Sequence, residues 1–131
     1  MLKPCMRGLA FALPLLMASS LAHAETRQNL MKQVGAATGT LGKMLKGETE
    51  YDAELAAMSM RVLFTTPSGF ITMFPEGSTT GETEAAPKIW EDKAGFDKIA
   101  MDMQNAALAA LPAAGGGLEQ LKGAFGSVAQ N

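Results

Sequence analysis

Residues that commonly do chemistry are scarce here, with one cysteine and one histidine in 131 residues. Basic residues number 11 against 13 acidic ones, and no basic run exceeds two residues. That removes the electrostatic footprint of a nucleic-acid-binding protein. Aromatics make up only 6%, and no apolar stretch reaches the roughly 20 residues that a membrane-spanning helix needs. What remains is 47% hydrophobic and 18% charged, the balance of one small globular domain rather than of a disordered tail or a polytopic membrane protein.

Lys3 and Arg7 precede an apolar stretch from Leu9 through Leu21, followed by Ala22-His23-Ala24, the small-x-small pattern that signal peptidase reads. Residues 1–24 therefore read as a secretory signal peptide cleaved after Ala24. Residues 25–131 read as one domain, exported to the periplasm and free of the membrane once the leader is removed. Cys5 and His23 both lie in the leader, so residues 25–131 hold neither type, with nine basic and 13 acidic groups. Disulfides, zinc sites and nucleophilic centres built on Cys or His are excluded by the missing side chains. Di-iron bundles, which need Glu-x-x-His repeats, fail for the same reason.

The acids gather at residues 48–54, 76–84 and 91–97, mostly at helix starts and in a loop. There they complement helix dipoles and aid solubility, and their spacing singles out no pair for acid–base catalysis, so the chain does not read as an enzyme. Met44, Met58 and Met103 fall on apolar helical seams and read as soft core packing rather than as metal ligands.

The spacing predicts four helices. Over Thr26 to Lys46, the apolar positions Leu30, Val34, Ala37, Leu41 and Met44 recur every three or four residues, and Gly47 stands where a left-handed cap is expected. A second helix is expected to start near Thr49 as its cap, with Leu55, Met58 and Val62 inward and Ser59 and Leu63 beside them. Pro67, Gly69 and Pro75 are expected to break it, and residues 75–87 read as a long solvated loop. A third helix runs from about Asp92 to Leu111 with Phe96, Ile99, Met103, Ala107 and Ala110 inward, ended by Pro112. A fourth follows the Gly115 to Gly117 turn, with Leu118, Leu121, Phe125 and Val128 on its seam. The fold class is all-α, an antiparallel four-helix bundle. Gly35, Gly39 and Gly42 each cost the first helix about 1 kcal/mol relative to Ala. Close packing in the bundle, close packing across a dimer, or contact with a flat ligand would each offset that cost.

Several strings stand in order along the chain. They are Arg27-Gln28, Lys46-Gly47 before Tyr51-Asp52, Phe74-Pro75-Glu76-Gly77-Ser78, Pro87-Lys88-Ile89-Trp90 with Phe96, and Leu121-Lys122-Gly123-Ala124-Phe125-Gly126. Together, and behind a secretory signal, they resemble the cytochrome c′ family of periplasmic four-helix haem proteins over the whole of residues 25–131. The resemblance implies electron transfer, or capture of nitric oxide and carbon monoxide, at a five-coordinate c-type haem. It implies that Met31 covers the distal haem face, that Arg27 and Gln28 lie near the haem propionates, and that Phe70 and Phe74 form part of the pocket wall. It also implies a homodimer through the first two helices, small gas ligands and a redox partner.

In that family a Cys-x-x-Cys-His motif on the last helix attaches haem c and supplies the proximal ligand. By the family's spacing its first cysteine would follow Asn131, so the resemblance implies a chain truncated at the edge of its attachment site. Such a chain is expected to attach no haem covalently and to be poorly stable around an empty slot. A different class of function also fits the residues, namely a haemless periplasmic helical-bundle module that binds a partner or dimerises through the glycine face of its first helix.

Overall fold

The computed structural model describes residues 13–79 and 83–130, with side chains from Ala22 onward. The leader's basic residues and Asn131 lie outside the described residues. Helix α1 spans Leu13–Leu45. It begins well before Thr26 because Pro14 sits in its first turn, where a missing N–H costs nothing, and no breaker separates Leu15 from Glu25. At its other end Gly47 takes φ +72°. The Gly47 N–H donates to Met44 O at 3.1 Å and the Glu48 N–H to Lys43 O at 2.9 Å, closing the carbonyls of the last turn as expected.

Helix α2, Ala53–Phe70, is capped by Asp52 and not by Thr49. The Asp52 carboxylate accepts from the Leu55 N–H at 2.8 Å, whereas the Thr49 N–H still donates back to Lys43 of α1. Pro67 does not break α2. It sits buried within the helix, and the Ile71 N–H donates to its carbonyl, so only the single bond that proline cannot make is lost. A 3₁₀ turn, Ile71–Met73, follows. One further helical turn, α3, Lys88–Glu91, directly follows the expected loop at residues 75–87.

Helix α4, Lys93–Ala114, is capped by Asp92, which accepts from the Gly95 N–H at 3.1 Å. It runs through Pro112, within its last turn, and ends instead at the glycine turn, where Gly117 takes φ +134°. Helix α5 spans Leu118–Ala129. Helices α1, α2, α4 and α5 form the antiparallel four-helix bundle, with α2 and α4 in the most extensive contact and α1 and α5 meeting only sparsely. Among the described residues no helix is long and apolar enough to cross a membrane.

The core joins Ala37, Leu41 and Met44 of α1, Ala56, Met60 and Leu63 of α2, Ala107, Ala110 and Ala114 of α4, and Leu121 and Val128 of α5. The α1 seam is therefore the expected one. That of α2 is rotated by one position, since Leu55 and Met58 are 45% and 54% exposed while Ala56, Ser59 and Met60 are buried. Two seams with helical spacing run side by side on α2, and the one with the smaller residues wins. Ala56 and Ser59 let α2 approach α4, whose own contact face is Ala107, Ala110 and Ala114. Met58 is thus not core filler. Ile99 and Leu118 are likewise exposed rather than inward. Gly35, Gly39 and Gly42 do not serve close packing within the bundle, because a Cβ at any of them would meet nothing within 4 Å.

Candidate functional site

Helix α1 carries Arg27 four residues before Met31, so both side chains project from one face toward the segment that follows α2. Arg27 is 4% exposed. Its Nη1 donates to Met73 O at 2.9 Å and to the carbonyl and hydroxyl oxygens of Ser78 at 3.4 and 3.3 Å. Its Nη2 donates to Ser78 O and to Thr83 Oγ1, each at 3.4 Å. The guanidinium carbon also stands 4.9 Å from the centroid of the Phe74 ring and 5.9 Å from that of Trp90. Every one of these partners is neutral. Desolvation by burial pushes the Arg27 pKa below its ordinary value, yet guanidinium remains charged throughout the physiological range.

Residues 75–78 form a tight turn in which Gly77 takes φ +80°, and the Ser78 N–H donates to Pro75 O at 3.1 Å. The same Pro75 oxygen accepts from Ser78 Oγ at 2.8 Å and from the Trp90 indole N–H at 3.1 Å. Phe74, just before the turn, is 4% exposed and lies edge-on to Phe70 and Phe96, with ring centroids 4.9 Å away in both cases. Trp90 closes the cluster at 5.7 Å from Phe74. Such edge-to-face pairs favour a fixed ring geometry beyond what burial alone supplies.

These groups border a cavity of about 800 Å³ lined by Ala24, Arg27, Gln28, Met31, Lys32, Phe70, Phe74, Thr83, Glu84, Ala85 and Ile89. All five residues singled out in the sequence, Arg27, Gln28, Met31, Phe70 and Phe74, line it. Met31 is 50% exposed and faces this space rather than filling the core. A smaller cavity of about 180 Å³ shares Met31 and Phe70 and adds Val34, Thr66, Pro67, Phe96, Ile99, Ala100 and Met103. Ile99 is thus exposed toward a cavity and not merely misplaced on its helix.

Lys32, Thr83 and the residues that the smaller cavity adds were not legible as site residues, and Ile89 stood only within a string. Ser78 and Trp90 stood in the sequence only within strings. The Pro-x-Gly-Ser turn was a usable signal for a built loop, but nothing local connects it to an arginine 51 positions earlier. Among the described residues no group of three or more His, Cys, Asp or Glu side chains could hold a metal ion. The cavity suits an amphiphilic organic group. Its volume lies in the usual range for cofactor sites, its apolar wall includes Met31, Phe70, Phe74 and Ile89, and its charged lining sets Arg27 and Lys32, which can meet carboxylates, beside Glu84, the single acid among the described residues there.

Comparison with known proteins agrees with that chemistry. Residues 22–131 match the family model described as Cytochrome C′. The chain is 40% identical over 85 residues to cytochrome c′ of Rhodopseudomonas palustris, a match covering 64% of this chain and 58% of that protein's length. It is 40% identical over 105 residues to cytochrome c-554 of Cereibacter sphaeroides, covering 77% and 79%. The solved structure of cytochrome c′ from Rhodopseudomonas palustris superposes with a TM-score of 0.77 at 35% identity, covering 82% of this chain and 86% of that one. Proteins of this kind are c-type cytochromes, whose cofactor is haem c. The four-helix fold, the matched span of residues 22–131 and the level of identity together establish that the chain belongs to the cytochrome c′ family.

Proposed function

We propose that residues 25–131 form the haem-cradling bundle of a periplasmic cytochrome c′-type protein that transfers electrons or binds nitric oxide and carbon monoxide, without catalytic turnover. The observation that carries this reading is the convergence of Arg27, Gln28, Met31, Phe70 and Phe74 on one cavity of about 800 Å³. The haem would supply the redox-active, gas-binding iron. Met31, whose thioether carries no hydrogen-bond donor, would lie against the haem and leave room beside it for a diatomic molecule. Arg27 would lie near the propionates, Gln28 beside it, and the Phe70 and Phe74 rings would keep water off one side of the macrocycle. Residues 25–131 hold no Cys and no His, so they provide the distal side and the wall but neither thioether links nor a proximal imidazole.

Export and assembly complete the proposal. The leader is cleaved after Ala24, which leaves α1 starting near residue 26. Two copies pair through α1 and α2. The open glycine face of α1 and the exposed Leu55 and Met58 of α2 support that pairing. The haemless-module reading draws on this same face and differs in expecting no cofactor.

The test is expression of two forms in a host that matures c-type cytochromes, the chain as it stands and the chain with Cys-x-x-Cys-His appended after Asn131. The expected result is a covalent haem mass with a five-coordinate Soret spectrum in the second form only. Absence of haem from the extended form, with its helices intact, would overturn the reading in favour of the haemless module.

A further inference from the structure

Arg27 is the buried cation of the described chain, and each oxygen it touches belongs to the segment between α2 and α3. Its two shortest bonds to that segment, to Met73 O and Ser78 Oγ, bracket the turn at residues 75–78 from both sides. Between them the guanidinium carbon stands over the Phe74 ring, 4.9 Å from its centroid. Trp90 is fixed to the same turn through Pro75 O and reaches Arg27 at the distance of a cation–π contact. One side chain therefore touches Met73, Phe74, Ser78, Thr83 and Trp90 at once.

We propose that Arg27 is the positioning residue of the cavity wall, holding the Met73–Ser78 turn, and through it Phe74 and Trp90, in place before any ligand enters. This holds whatever ligand the cavity takes. The geometry requires guanidinium rather than positive charge alone. A flat fork can donate to two carbonyl groups and stack on a ring at once, whereas an ammonium is a point charge that can do one of these well. Among the described residues the hydrogen bonds of Arg27 all go to neutral oxygens, so it orders the wall without an ion pair.

Trp90 is the chain's only tryptophan, so its fluorescence reports the wall alone while circular dichroism reports the helices. In Arg27→Lys the helices are expected to persist while acrylamide quenching of Trp90 rises at least about twofold, because the turn now opens locally. In Arg27→Ala, methylguanidinium is expected to restore the native quenching, and methylammonium at the same concentration to leave it unchanged. Unaltered quenching in Arg27→Lys, or equal rescue by both cations, would overturn the proposal.

A measurement on the unsubstituted chain covers the case in which either variant loses its helices. Nitrogen NMR of wild-type Arg27 is expected to resolve separate Nη1 and Nη2 signals, because bonds to Met73, Ser78 and Thr83 hinder rotation of the guanidinium. A single averaged signal, as for a freely rotating arginine, would overturn the proposal whatever the variants do.

Discussion

The Tyr51 hydroxyl donates to the carbonyl oxygen of Ala114 at 2.7 Å, joining residues 63 positions apart. It also accepts from the Gly117 N–H at 3.0 Å. One phenol thus satisfies the last carbonyl of α4 and the amide that opens α5, and it ties the α1–α2 connection to the α4–α5 turn. Tyr51→Phe leaves both backbone groups without this partner. It is expected to cost about 1–2 kcal/mol, measured as a lowered urea midpoint with unchanged helicity.

The two candidate caps of α2 separate cleanly. Asp52→Ala removes the acceptor of the Leu55 N–H and is expected to cost about 1 kcal/mol. Thr49→Ala is expected to change stability by less than about 0.5 kcal/mol, as an exposed substitution away from any cap. Equal losses in urea unfolding would place the helix start back at Thr49.

Leu41 and Met31 lie on the same helix with opposite surroundings, one wholly buried and the other half exposed toward a cavity. Leu41→Ala is expected to cost roughly 3 kcal/mol through lost burial and the void left behind. Met31→Ala is expected to cost under about 1 kcal/mol, since it removes little core contact. Denaturant unfolding of both variants checks the ratio, and a Met31 loss as large as that at Leu41 would return Met31 to the core.

Gly39 is helical and a Cβ there meets nothing within 4 Å. Gly39→Ala is expected to raise the stability of the monomer by about 0.5–1 kcal/mol, because alanine loses less backbone entropy on forming a helix. If α1 and α2 form the dimer face, the same methyl group weakens self-association. Urea unfolding of dilute protein reads the first effect, and sedimentation equilibrium reads the second.

The bundle was legible because the seams of α1 and α5 repeat at helical spacing, and burial of Leu41, Met44, Leu121 and Val128 follows from that spacing alone. The α2 seam was not, because Leu55-Met58-Val62 and Ala56-Met60-Leu63 are both periodic, and periodicity cannot choose between adjacent phases. Hydrophobicity favoured the larger side chains. Packing against the alanine face of α4 favoured the smaller ones. Pro67 and Pro112 misled for a related reason, since a helix held on one side by its neighbours tolerates the loss of one backbone bond that would end it in isolation.

At the site, all five residues chosen by resemblance converged on one cavity, but what Arg27 does there was hidden. Its partners Met73, Ser78 and Thr83 lie 46 to 56 positions away, and no local pattern encodes a contact across that span. By itself the sequence determined the helical class, the capping residue at Gly47, the absence of Cys and His from residues 25–131, and the family, since these rest on composition, local propensity and ordered strings. Only the tertiary structure decided which face of α2 is buried, that the α1 glycines look outward, and that Arg27 meets Met73, Ser78 and the Phe74 ring. Those outcomes depend on which surfaces meet when helices pack, a competition among contacts far apart in the chain.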